Sequence, residues 1–184
     1  MAADRSRPPR KPRPLDPARL EELALAYVAR FATSGGKLEQ YLIRKVRERG
    51  WEADRPADPR GIVERFVELG YLDDEAYARA KSGSLLRRGY GQRRVNQALT
   101  AAGIAEEVRE EVRAGEAEER RAAVALASRR RLGPWGPPAD RDVRQKQFAA
   151  MLRAGHGFDV ARAVIDAATI DAAEEWAAEP EESR

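Results

Sequence analysis

The sequence contains no cysteine and a single histidine, and these two shortages narrow the chemistry that the chain can perform. Without cysteine there are no disulfides and no thiolate metal ligands, which suits a reducing compartment. With His156 alone, neither a histidine-based metal cluster nor a Ser-His-Asp triad can be assembled. Phosphate-loop and dinucleotide fingerprints are also missing. We therefore expect a protein that is not an enzyme, binds no metal and needs no cofactor.

Long apolar runs are missing as well. No stretch approaches the roughly 20 residues that a membrane-spanning helix needs, and the first residues lack the apolar segment of a signal peptide. We expect a cytoplasmic protein that makes no membrane contact. Strict alternation of apolar and polar residues is nearly absent, which argues against strands. The 35% charged fraction and the mean hydropathy of −0.67 instead favour many short helices with wide solvated faces.

Charge is distributed unevenly along the 184 residues, although the net charge is only +3. Residues 1–14 carry a net charge of +4 and are rich in proline, which predicts a disordered basic arm. Residues 171–184 carry −5 and form an acidic tail that either folds over a basic face or hangs free. The basic body and arm favour contact with a polyanion or an acidic protein face.

Helical periodicity recurs in three copies. Asp16-Pro17 predicts the cap and first turn of the first helix, and a second helix is predicted from Lys37 to Arg49. The second copy repeats the first at an offset of 53 residues, so that Gly50 corresponds to Gly103. The third copy contains Phe148, Met151, Leu152 and Gly155, with Phe158 two positions later than the residue directly after Gly155, where the pattern expects it.

These copies predict the fold class and the domain organisation. We expect an all-α protein of three tandem three-helix repeats that form an elongated, curved solenoid. The predicted segments are a disordered basic arm over 1–14, repeats over 15–70, 71–115 and 116–170, and the acidic tail over 171–184. A proline-rich loop over 132–140 lies in the third repeat, and Trp135 is predicted to pin it to the body.

The stretch from Gly70 to Ile104 is the most informative part of the sequence. It predicts two helices joined by a bend rich in arginine and glycine. Asp73 and Asp74 precede the first helix and are interpreted as capping residues rather than as an acid-base pair. Gly89 and Gly91 are interpreted as residues that permit positive φ in the bend.

The residues that define this central motif are Gly70-Tyr71-Leu72-Asp73-Asp74, Tyr77-Ala78, Arg87-Arg88-Gly89-Tyr90-Gly91, Arg93-Arg94-Val95, Leu99 and Gly103-Ile104. With them the chain resembles the RecX family of bacterial proteins that modulate the RecA recombinase, and the resemblance covers about residues 18 to 168. Gln92 departs from the pattern, because the family usually has proline there. Asn96 and Gln97 also replace a more charged pattern.

The resemblance implies three tandem three-helix repeats, no enzymatic activity, and binding along the groove of the RecA-DNA filament. It implies that filament extension, ATP hydrolysis and strand exchange are modulated, mostly by inhibition, in DNA repair, DNA recombination and the SOS response. Binding by a monomer, with at most weak direct DNA contact, is expected. The candidate partner-binding residues are Arg44, Arg47, Arg87, Arg88, Tyr90, Arg93, Arg94, Arg144 and Lys146.

Two alternatives remain open on the sequence alone. The arginines can be ordinary solvated helix ends, where cations favour the helix dipole by a few tenths of a kcal/mol up to about 1 kcal/mol. The arrangement of helix, bend and basic helix also describes a helix-turn-helix regulator that binds duplex DNA. In that case Gln92, Arg93, Asn96 and Gln97 are the side chains available to read bases.

Overall fold

Helices supply the regular structure of the chain. The computed structural model describes residues 13–180, and no strand is present within that range. The helices are α1 (Pro17–Arg30), α2 (Gly35–Arg49), α3 (Pro59–Glu68), α4 (Asp74–Arg87), α5 (Gln92–Ala101), α6 (Glu106–Glu111), α7 (Glu116–Arg130), α8 (Arg141–Arg153), α9 (Phe158–Asp166) and α10 (Ile170–Ala178). The predicted all-α class is confirmed. None of the helices in the described range is long and apolar enough to cross a membrane.

Side-chain caps fix where several of these helices begin. The carboxylate of Asp16 accepts the backbone N–H of Arg19 at 2.8 Å, and Pro17 occupies the first turn of α1 as predicted. The hydroxyl of Ser34 accepts the N–H of Lys37 at 3.3 Å. Because Ser34 is the cap, α2 begins at Gly35, two residues before the predicted start.

Five of the helices share one type of C-terminus. In the described part of the chain, α3, α4, α5, α7 and α8 are each followed by a residue with positive φ. The N–H of that residue and the N–H of the next one both bond back to the last turn, in the pattern of a Schellman motif. Glycine supplies the positive φ at four of these ends, and Arg131 supplies it after α7 with φ of 54°.

The chain divides into two compact units, with the boundary between Asp73 and Asp74. The first unit contains α1 to α3, which correspond to the predicted first repeat. Its core is built mainly from leucine and aromatic side chains, and the segment before α1 is held against the segment after α2. There the N–H of Leu15 donates to the Gly50 carbonyl at 2.9 Å, and the N–H of Glu52 donates to the Leu15 carbonyl at 2.8 Å. The buried core residues are Leu15, Leu20, Ala24, Leu38, Leu42, Ile62, Phe66 and Leu72.

The second unit contains α4 to α10 and holds two clusters of buried side chains. The first cluster is formed by α4 to α6 with the start of α7, and the second by α7 to α9 with Trp135 and Trp176. Trp135 therefore packs the proline-rich loop onto the core, as predicted. Tyr90 packs against both clusters, so the predicted second and third repeats meet at this residue.

The structure resolves the register of the third repeat. Gly155 has φ of 97°, as Gly103 has 73° at the corresponding end in the second repeat. His156 then occupies the buried position of Ile104, with 2% of its surface exposed. Phe158 is not the shifted core residue that the sequence pattern suggests, because 58% of its surface is exposed.

The ends of the chain are only partly described. The predicted disordered arm lies outside the described residues except for Arg13 and Pro14, whose carbonyls accept hydrogen bonds from Arg49 and Arg19. The acidic tail is helical over α10, which begins at Ile170 and is capped by Thr169. This helix packs along α7, burying Ala173 and Ala177. Residues 181–184 lie outside the described range.

One buried arginine joins α10 to α7. Arg120 donates to Glu116 in its own helix, to the Trp176 carbonyl at 3.3 Å and to Glu179 at 3.4 Å. Its guanidinium carbon also lies 5.3 Å from the centroid of the Trp176 ring. A cation at the C-terminal end of α10 complements the helix dipole, so Arg120 stabilises this helix as well as its position.

Candidate partner-binding surface

The bend between α4 and α5 is a Schellman turn followed directly by a new helix. The N–H of Gly89 donates to the Leu86 carbonyl at 2.7 Å, and the N–H of Tyr90 donates to the Leu85 carbonyl at 3.0 Å. Gly89 has φ of 76°, which is the left-handed conformation that the sequence predicts for it. The chain reverses here, and α5 starts at Gln92.

Gly91 serves close packing rather than positive φ, which corrects the sequence-based interpretation. Its φ is −82°, a value open to any residue. A Cβ at this position would lie 2.4 Å from the carbonyl carbon of Gly155. The N–H of Gly91 donates to the Ala154 carbonyl at 3.0 Å, and the N–H of Arg93 donates to the Gly155 carbonyl at 3.1 Å. Because Gly91 and Gly155 have no side chains, the backbone segments that contain them come close enough to form these hydrogen bonds.

The end of α7 holds the bend from the other side. A Cβ on Gly89 would lie 2.9 Å from the backbone nitrogen of Leu126, so the two backbones approach closely here too. Arg129 donates a guanidinium hydrogen bond to the Arg88 carbonyl. Arg129 is not among the predicted site residues. It belongs to a run of three arginines, and the run alone does not indicate which of them faces the bend.

His156 ties the bend to the third repeat. Its Nε2 lies 3.0 Å from the Gly89 carbonyl oxygen, to which Nε2–H donates in the neutral imidazole. Burial lowers the pKa of His156 from its usual value, and the hydrogen bond to Gly89 opposes that shift only in part. The histidine is therefore a neutral packing residue at pH 7.

The four arginines around Tyr90 form the positively charged surface that the sequence predicts. The Tyr90 ring is half-buried between the two clusters, and the Arg88 guanidinium lies 5.5 Å from its centroid. The Arg94 guanidinium lies 3.5 Å from the Gln97 side-chain oxygen. Arg87, Arg88, Arg93 and Arg94 are all exposed, and no carboxylate within residues 13–180 forms an ion pair with any of them.

This arrangement suits the binding of an anionic partner surface. Guanidinium groups form two parallel hydrogen bonds with a carboxylate or a phosphate, and they stay charged at any physiological pH. Here they project from a backbone that is fixed at Gly89 and Gly91 by close contacts on both sides. We refer to the bend with Arg87, Arg88, Tyr90, Arg93 and Arg94 as the arginine bend.

The remaining predicted residues lie outside the arginine bend, and they differ in whether they form ion pairs. Arg44 lies in the first unit, 3.7 Å from Glu48, with its guanidinium 5.6 Å from the Tyr41 centroid. Arg47 is exposed on the same helix, α2. In α8 of the second unit, Arg144 forms an ion pair with Asp166, and Lys146 is exposed.

The chain is similar to proteins of a known family. The family model described as RecX, second three-helix domain, matches residues 73–112, which contain the whole arginine bend. The regulatory protein RecX of Myxococcus xanthus is 35% identical over 172 residues, covering 88% of this chain and 92% of that protein. The chain belongs to the RecX family of regulatory proteins.

Other RecX proteins extend the likeness. That of Halorhodospira halophila is 32% identical over 152 residues, covering 83% of this chain and 89% of its own length. The crystal structure of RecX from Lactobacillus salivarius superimposes with a TM-score of 0.61 at 17% identity, covering 80% of this chain and 93% of that one. The shared fold agrees with the all-α class that the sequence predicts.

Gln92 shows how this RecX chain accommodates its departure from the family pattern. The side chain is buried at the start of α5, where its oxygen accepts the Ala114 N–H at 3.4 Å and its nitrogen donates to Asn96 at 3.2 Å. A buried amide that bonds the α6–α7 connection cannot reach a base edge. The first of the four side chains that a helix-turn-helix interpretation needs is therefore engaged inside the protein.

The titratable side chains in the described part of this RecX chain are not gathered into a metal site. Within residues 13–180 there is no group of three or more histidine, aspartate or glutamate side chains placed to hold a metal ion. His156, the single histidine, is buried, and its Nε2–H donates to the Gly89 carbonyl. The exposed arginines of the bend are instead suited to contact with a partner.

Proposed function

We propose that this chain regulates RecA by binding RecA and its filament on DNA, without catalysis of its own. Binding would modulate filament extension, ATP hydrolysis and strand exchange, mostly by inhibiting them, in DNA repair and recombination. Membership of a family of regulatory proteins supports the regulatory part of this proposal. The arginine bend supports the partner, because a protein filament on DNA offers both carboxylates and phosphates to exposed guanidinium groups.

The observation that carries the proposal is that exposed arginines without carboxylate partners project from a turn whose backbone is held in place. Four exposed arginines without carboxylate partners among residues 13–180 surround a turn that neighbouring backbone holds on two sides. A Cβ on Gly89 or on Gly91 would lie within 3 Å of that backbone, which shows how closely the segments approach. Ordering such side chains costs less when their backbone is already fixed, so more of the electrostatic gain appears as affinity. Arg129 belongs to the same surface because it bonds the Arg88 carbonyl.

In this proposal the chain acts as a monomer in the cytoplasm. Arg44 and Arg47 in the first unit, and Arg144 and Lys146 in α8, supply further cationic contacts to RecA or to DNA. Direct contact with DNA is weak and independent of sequence, since Gln92 is buried and base-reading side chains are few. A helix-turn-helix regulator would instead bind one duplex sequence tightly and lose affinity steeply with salt.

The test is the effect of the full chain on RecA itself. ATP hydrolysis by RecA on single-stranded DNA is measured at increasing ratios of the chain to RecA, and filament length is measured by electron microscopy in the same samples. We expect slower hydrolysis and shorter filaments as the ratio approaches one. Unchanged hydrolysis and filament length at stoichiometric ratios would rule the proposal out.

A further inference from the structure

Phe158 is a large apolar side chain that is exposed to solvent beside an apolar hollow. It is the first residue of α9, 58% of its surface is accessible, and its ring meets the half-buried ring of Phe148 edge to face at 4.8 Å between centroids. The two rings border a hollow of 310 Å³ between α8 and α9, whose wall also includes the buried Ile165. An exposed phenyl ring in this setting is typical of a binding surface.

Positively charged groups outnumber negatively charged groups at the edge of this hollow. Arg144 and Arg162 both form ion pairs with the same carboxylate, Asp166, at 3.7 Å in the case of Arg162. Of the residues that line the hollow, two are cationic and one is anionic, so its wall carries one uncompensated positive charge, while Asp159 lines the adjoining surface with Arg162. The α8 helix carries further positive charge, with Arg141, Lys146 and Arg153 against Asp142.

We propose that this α8–α9 hollow is a second protein-docking surface, which takes one large apolar side chain from an acidic segment of the partner. The apolar side chain would fill the hollow against Phe148 and Phe158, and a neighbouring carboxylate of the partner would supply Arg162 with a second anion. This inference rests on the proposed function for the identity of the partner. It adds the place on this chain where an acidic segment of that partner would dock.

The same features argue against a nucleic acid as the occupant. The two phenyl rings meet at 73°, so the pair offers an edge and a recess in place of a flat platform for stacked bases. A shallow hollow bordered by aromatic rings, with a carboxylate-binding arginine beside it, suits an apolar anchor side chain of a protein partner.

The experiment measures binding of the full chain to RecA filaments on single-stranded DNA by co-sedimentation, and to bare single-stranded DNA in parallel. Phe158→Ser is expected to weaken binding to the filament by about tenfold, as loss of an aromatic anchor does. Arg162→Gln is expected to weaken it by about threefold, because one charged contact at the rim of an interface contributes less. Asp166→Asn is expected to strengthen it. Binding to bare DNA should stay unchanged for Phe158→Ser and Arg162→Gln.

Phe31→Ser is the matched control, because it removes a phenyl ring that is 49% exposed in the other unit. It should bind as the parent chain does, and circular dichroism should show all four variants folded. If the parent binds the filament and Phe158→Ser binds equally well, the docking surface is overturned while the proposed function stands. If the parent does not bind, the proposed function fails. Weaker binding of Phe158→Ser to bare DNA would overturn a protein occupant.

Discussion

At the scale of single residues, the junction of the second and third repeats depends on glycines that have no side chain as well as on the side chain of His156. Gly89, Gly91 and Gly155 let three segments of backbone meet, and His156 closes the junction with one hydrogen bond. A glycine-rich motif is visible in the sequence, and the positive φ of Gly89 follows from it. The partner of Gly91 does not, because Gly155 lies far along the chain and in a different repeat.

Replacing Gly91 with alanine should destabilise the fold. The new Cβ would overlap the Gly155 backbone, and such overpacking costs about 1–3 kcal/mol of the free energy of unfolding. Urea denaturation followed by circular dichroism measures the change. Gly157→Ala is the matched control, since a Cβ placed there meets nothing within 4 Å, and it should change the free energy of unfolding by no more than about 0.5 kcal/mol. Equal effects of the two substitutions would contradict the close-packing role.

His156 should titrate below the usual histidine pKa of about 6.5, because burial disfavours the imidazolium. It is the only histidine, so its ring proton resonances identify it directly in an NMR titration of the untagged chain. The folded-state pKa is lowered below the unfolded value, so its contribution to stability is complete above about pH 6.5 and is lost as the pH falls through the folded value. An imidazole with a pKa of about 6.5 or higher would show that the ring is solvated and the junction open.

At the scale of helices, most boundaries follow from residues that can be seen in the sequence. Asp16 with Pro17 predicts the start of α1, and the glycines after α3, α5 and α8 mark their ends. The start of α2 differs from the prediction because Ser34 caps the helix. The tail is harder to predict, since its alanines and Trp176 form an apolar stripe only once α7 supplies the opposite face.

The end of α7 offers a test of backbone strain. Arg131 takes the left-handed position that glycine holds at the equivalent ends, which costs a non-glycine residue about 1–2 kcal/mol. Arg131→Gly relieves that strain but makes the unfolded chain more flexible by about 0.4–1 kcal/mol, so a net gain of roughly 0.5–1 kcal/mol is expected. Thermal denaturation measures it.

Arg130→Gly is the control for this test, because it removes the same charge from the neighbouring helical position. Glycine in a helix costs about 1 kcal/mol relative to good helix formers, so this variant should be less stable than the parent. The two substitutions therefore shift the melting temperature in opposite directions. Shifts in the same direction would mean that charge, and not the backbone conformation of Arg131, determines the stability of this turn.

At the scale of the whole molecule, the chain is two compact units, each with its own core and its own exposed cations. The fold class could be predicted from the helical periodicity of the sequence. The bend between α4 and α5 could be predicted from the arginine- and glycine-rich motif. The pairing of the second and third repeats into one unit could not, since it depends on backbone contacts between segments far apart in the chain. The ion pair that occupies Arg144 is hidden from the sequence for the same reason, because Asp166 follows it by 22 positions in another helix.

The proposed function depends most on whether the arginine bend binds the RecA filament. The deciding measurement is the inhibition of RecA ATP hydrolysis by the triple variant Arg87→Glu, Arg88→Glu, Arg93→Glu, compared with a control of equal charge change, Arg30→Glu, Arg55→Glu, Arg121→Glu. All six side chains are exposed, so both variants should fold as the parent does. We predict that the first variant loses at least about tenfold in inhibitory potency, as loss of several charged contacts does, while the control loses much less. Equal potency of the first variant and the parent would show that the arginine bend does not bind the filament.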